Sequence, residues 1–96
     1  MKKVKILSST YTVKYVKDNS YMMYDENNGE CDYSTKIIKV AQGNGEIVYS
    51  DKWQQETLHH ELAHAFMYES GNGDLNDERH AELLGKFYDF VSSLYK

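Results

Sequence analysis

The chain has 96 residues, 41% apolar and 27% charged, which suits one small domain with a modest core. Its net charge of −4 is unevenly spread: residues 1–20 hold five Lys and one Asp, or +4, while residues 21–96 hold six Lys or Arg and fourteen Asp or Glu, or −8. The acidic larger part argues against nucleic acid as the main partner, and no apolar run approaches the ~18 residues of a transmembrane helix, so no membrane partner is expected.

The first residues, Met1 to Leu7, are basic but lack the apolar centre of a signal peptide. Cys31 is the single cysteine, so no intrachain disulfide can form, which fits a reducing, cytoplasmic location. A small domain without disulfides needs another staple, and a bound metal ion can be one. Residues 3–9 read as a strand or an extended lead-in. Tyr11–Val16 reads as a strand, because β-branched and aromatic residues dominate it and Tyr11, Val13 and Tyr15 alternate with Thr12 and Lys14. Asp18-Asn19-Ser20 marks a turn, residues 21–25 carry no clear pattern, and Glu26-Asn27-Asn28-Gly29 marks a second turn. Glu30–Tyr33 reads as a short strand joined by a hairpin to a stronger one at Thr35–Ala41, followed by a loop at Gln42–Gly45. The first half is therefore expected to form a three-stranded antiparallel sheet.

Ser50 and Asp51 are N-cap candidates for a helix over about 52–70, ended by Gly71-Asn72-Gly73. At 100° per residue, Trp53, Thr57, His60, His64 and Met67 share one stripe, and Leu58, Leu62 and Ala65 form another. A helix apolar on so much of its surface is expected between two layers. His59 falls in the arc left for solvent, with Gln55 and Ser70, and reads as a bystander. Asp74, Asn76 or Asp77 caps a second helix to about residue 94, with Leu83, Leu84, Phe87, Phe90, Val91 and Leu94 as its apolar stripe. The chain contains no proline, repeat or low-complexity tract, so residues 1–96 read as a single domain.

The first helix carries His60-Glu61-Leu62-Ala63-His64, an H-E-x-x-H pattern. Positions i and i+4 lie on one face about a turn apart, so the two imidazoles can close on one zinc ion. Glu61 is offset by about 100°, able to reach a metal-bound water without itself becoming a ligand. The neighbours agree with the longer zinc-protease pattern: Thr57 stands three residues before His60, Phe66 two after His64, and the residues between are uncharged apart from the motif. Two histidines do not complete such a site, and the next helix offers Glu78, His80 and Glu82. His80 lies near the centre of the apolar stripe. Glu78 lies beside Ala81, Gly85 and Ser92, small residues that let a second backbone approach, and it is the favoured ligand. Glu82, one turn later, is placed to accept the free ring N–H of a ligand histidine.

His60-Glu61-Leu62-Ala63-His64 followed by Glu78-x-x-Ala81-x-x-Leu84-Gly85 resembles the ImmA/IrrE-type metallopeptidases, including the very short phage and mobile-element members, and the minigluzincins. Gly29-x-Cys31-Asp32 ahead of Ile37-Ile38 is similar to the short phage members. The resemblance spans about residues 11–90 and is specific at the His/Glu motif. It implies a sheet before the H-E-x-x-H helix and a Glu of the following helix as third zinc ligand. It also implies an extended peptide substrate pairing with the strand at 36–41. The chain has no counterpart of the C-terminal extension or helix-turn-helix of the repressor-cleaving members, so neither regulator cleavage nor DNA binding is expected.

The expectation is thus an α+β, zincin-like domain of gluzincin type, in which a small antiparallel sheet packs on two helices. It is a zinc metallopeptidase acting on peptide or protein, with His60, His64 and Glu78 on zinc and Glu61 as general base. One of the nine tyrosines, or His80, would steady the oxyanion. The rival reading is a non-catalytic zinc module that binds a partner protein, for which a closed four-ligand site including His80 would be the sign. A metal-free interaction domain with a tyrosine-rich surface is a third.

Overall fold

The computed structural model describes residues 2–24 and 27–95; Asp25 and Glu26, from the patternless stretch and the second turn, lie outside it. Six regular elements follow one another: strands β1 (Lys2–Ile6), β2 (Ser9–Val16), β3 (Gly29–Asp32) and β4 (Ile37–Ala41), then helices α1 (Asp51–Glu69) and α2 (Glu78–Ser93). The strands form one sheet in the order β1-β2-β4-β3. β1 and β2 are an antiparallel hairpin turning at Leu7, whose φ is 56°. β3 and β4 are antiparallel as expected, their turn held by Asp32, whose carboxylate accepts from Ser34 N at 3.0 Å and Ser34 Oγ at 2.8 Å.

The sheet corrects the sequence reading in two respects. It has four strands among the described residues, because Lys2–Ile6 pairs as a full strand, and it is mixed, because β2 and β4 run parallel in register Thr12↔Ile37 to Val16↔Ala41. The chain leaves β2, passes a 3-10 turn at Asn19–Tyr21, runs out to the far edge as β3 and returns inward as β4. β4 is therefore paired on both sides, so the strand at 36–41 offers no edge for a peptide; the outer strands are β1 and β3, and β3 is the one that passes over Glu61.

Alternation along the strands sends Tyr11, Val13, Ile38 and Val40 to one face, all buried, where Leu58, Leu62 and Ala65 of α1 meet them. α1 starts where Ser50 Oγ accepts from Trp53 N at 3.1 Å. Its last residue, Glu69, sits at the negative end of the helix dipole, an unfavourable place for a carboxylate. Three donors offset this: Ser9 Oγ at 2.7 Å, Tyr11 OH at 2.8 Å and Lys36 Nζ at 2.7 Å. Their hydrogen bonds hold the Glu69 carboxyl down to about 2.

α2 starts at Asp77, whose carboxylate accepts from His80 N at 2.8 Å, and it packs against the opposite side of α1 from the sheet. The contact is made by its small residues. Ala81 and Gly85 are buried, and a Cβ on Gly85 would stand 3.2 Å from both Cα and N of His60. Two expectations fail here. The apolar stripe of α2 faces outward, with Leu83, Phe87, Phe90 and Leu94 more than half exposed. His59 is not in solvent but buried, its Nδ1 on the Asp89 carboxylate and its ring edge against Tyr88. Helical phase put His59 opposite the sheet, which is where α2 lies.

Candidate metal centre

The side chains of His60 and His64 project from one face of α1 with ring centroids 5.0 Å apart, and Glu78 reaches them from the first turn of α2. His60 Nε2 lies 3.1 Å from Glu78 Oε1, and His64 Nε2 lies 2.7 Å from Glu78 Oε2. One ligand atom from each residue falls within 4.8 Å of the others, so the three form a group able to hold a metal ion. Ligands bound at ~2.0–2.1 Å around a tetrahedral ion stand about 3.3 Å apart. The two histidine–carboxylate separations are that size or slightly tighter.

The far side of each ring supports the fit. His64 Nδ1–H donates to Asn76 Oδ1 at 2.6 Å, which leaves the Nε2 lone pair for a metal. Glu82 Oε2 stands 3.6 Å from His60 Nδ1, close to the place the sequence assigned it. Asn76 is fixed in turn, donating from Nδ2 to Tyr33 OH at 2.8 Å and to the carbonyl of His64 at 3.3 Å. Sequence reasoning raised Asn76 only as a possible helix cap. Its place two residues before Glu78, in the turn that must pass the ligand rings, was the available signal.

His80 is not part of the group. Its Nδ1 lies 2.8 Å from the Asp77 carboxylate, and its side chain is turned half out to solvent, because the apolar stripe to which it belongs faces outward.

Glu61 is also outside the group of three but adjoins it. Its side chain is buried beneath β3, where a Cβ on Gly29 would come within 3.0 Å of Glu61 Cγ and 2.7 Å of Thr57 Cγ2. Glycine at the start of β3 is what lets that strand pass so low over α1. Burial pushes the Glu61 carboxyl up to about 7, against the opposing pull of His64 and His60 and with a smaller push from Glu78 and Glu30. Such a carboxyl exchanges protons near neutrality.

No protein-family model, curated protein or solved structure matches the chain.

A cleft opens over the group, lined by Glu61, His64 and Glu78 together with Cys31, Tyr33 and Tyr68. Tyr33 and Tyr68 stack with centroids 4.4 Å apart, forming an aromatic wall. Burial raises the Tyr33 phenol, and burial pushes the Cys31 thiol up to about 12, so both stay protonated at neutral pH. A second recess, lined by Trp53, Thr57, His60 and Glu82, reaches the group from the other side and shares Gly29, Glu61 and Glu78 with the first. No helix among the described residues is long and apolar enough to cross a membrane.

Proposed function

We propose that the chain is a minimal zinc metallopeptidase of gluzincin type, similar to the short ImmA/IrrE-like enzymes. His60, His64 and Glu78 hold the zinc, with Glu82 and Asn76 orienting the two rings. Zinc in such a set acidifies a water and polarises a carbonyl.

The observation that carries the reading is Glu61: a buried carboxyl that adjoins the group, contributes no ligand atom to it and opens on the same cleft. Its role is to take a proton from the attacking water and deliver it to the leaving amine. Tyr33 lines the cleft with its hydroxyl oxygen already accepting from Asn76, so its own proton is free to be donated to the developing oxyanion. The free edge of β3 runs beside Glu61 and suits an extended peptide, which would add as a further strand. His80 faces away, so the four-ligand closed site of a purely structural module lacks its fourth member among the described residues.

The test is Glu61→Gln, which keeps size and polarity but removes the base. Zinc content and circular dichroism should be unchanged, while cleavage of a mixed peptide library should fall at least ~10²-fold. If the wild type binds zinc with no exchangeable water, and Glu61→Gln matches it on every peptide, the metal is structural and the reading fails.

A further inference from the structure

Helix α2 presents its least polar side to the outside. Leu83, Phe87, Phe90 and Leu94 are 67, 62, 61 and 63% exposed, and Leu84 beside them is 38% exposed. The opposite side is committed to α1 through Ala81, Gly85 and Asp89. Among the described residues nothing covers the outward side.

The spacing of the four residues is informative. Leu83, Phe87, Phe90 and Leu94 follow one another at intervals of four, three and four, which keeps all four on one side of the helix. Arg79, Glu82 and Lys86 flank the stripe, with Lys86 Nζ 3.8 Å from Glu82 Oε1, and the one carboxylate within the span, Asp89, is turned inward to His59.

The area decides the occupant. Taking ~150–250 Å² for a fully exposed side chain of this size, the five residues present on the order of 600 Å². That is at the upper limit of apolar patches on monomers. Two copies together would bury roughly 1,200 Å², the lower bound of stable specific interfaces. We propose that the outward face of α2 is the interface of a two-fold symmetric dimer of this chain, seamed by Leu83, Phe87, Phe90 and Leu94. A self-complementary apolar stripe fits such an axis, because each copy supplies the same surface. The proposal does not depend on the peptidase reading. It does bear on the metal group, because α2 carries Glu78, and a second copy would hold that helix from its outer side.

Sedimentation equilibrium of the metal-loaded chain should give twice the 11.2 kDa of one chain. The double change Phe87→Glu with Phe90→Glu should return it to one chain, with circular dichroism and metal content unchanged. Leu94→Glu alone, near the end of the helix, should raise the dimer dissociation constant at least ~10-fold. Val48→Glu, at an exposed position away from α2, should leave the dimer intact. A wild type that stays a single chain up to ~0.1 mM, far above the dissociation constants of specific interfaces, overturns the proposal. So does a dimer indifferent to the Phe87 and Phe90 changes, or one that Val48→Glu breaks equally. Should the double variant fail to fold, Leu94→Glu decides alone: an unchanged dissociation constant places the contact elsewhere.

Discussion

Gly85 lies directly against the backbone of His60, with room for a Cβ only at 3.2 Å from its Cα and N. That close approach of α2 to α1 is what lets Glu78, on the first turn of α2, touch both histidine rings.

Bulk at Gly85 should therefore weaken the metal group from a distance. Alanine gains helix propensity of ~0.5–1 kcal/mol, which offsets part of its crowding. Gly85→Val must move the helices apart, an overpacking cost of about 1–3 kcal/mol. Thermal unfolding should show the loss for Val and a much smaller change for Ala. A zinc competition titration should show weaker binding for Val alone. Equal zinc affinity in Gly85→Val and wild type would contradict the argument.

The ligand assignment separates Glu78 from His80. Glu78→Ala should lower zinc affinity far more than His80→Ala, because His80 hydrogen-bonds to Asp77 and lies outside the group of three. Asn76→Ala should fall between them, ~10–100-fold weaker than wild type, as is usual when a group orienting a ligand ring is lost. Metal analysis after dialysis against a weak chelator checks the order. A His80 variant that loses zinc while the Glu78 variant keeps it would reverse the assignment.

Glu69 should set part of the acid limit of stability. Its carboxyl is held down to about 2 in the folded chain, against an ordinary value near 4.5. A depressed carboxyl contributes stability that is complete above the unfolded value and is lost as pH falls through the folded one. The difference in melting temperature between wild type and Glu69→Gln should therefore be largest above about pH 5 and shrink steadily toward pH ~2. A difference that stays constant over that range would assign the contribution of Glu69 to packing rather than charge.

Much of the site was legible in the sequence because it is built on helical phase. His60 and His64 one turn apart, Glu61 offset from them, and Glu78 on the small-residue side of α2 are all consequences of 100° per residue. The same rule misplaced His80 and His59, and for one reason: it gives each side chain an angle but not the element that fills that direction. On phase and hydropathy alone, the apolar side of α2 reads as inward. The helix instead turns inward its small residues, because only they admit the approach that Glu78 needs. The sheet was misread for a different reason. Alternation marks Tyr11–Val16 and Ile37–Ala41 as strands, yet it carries no record of which strand pairs with which, and the outward excursion through β3 makes those two parallel.

The three residues of the candidate metal group come from two consecutive helices, α1 and α2, with His60 and Glu78 only 18 positions apart. The strand that shuts Glu61 away from water arrives from far upstream. On the proposed function, ion capture is thus a local event in chain assembly, while the surroundings of Glu61 are closed by distant contacts, which form at greater entropic cost. When refolding is started in the presence of zinc, amides of α1 and α2 should gain protection from hydrogen exchange before those of β3. Protection of all three in a single phase would mean that the two events are one.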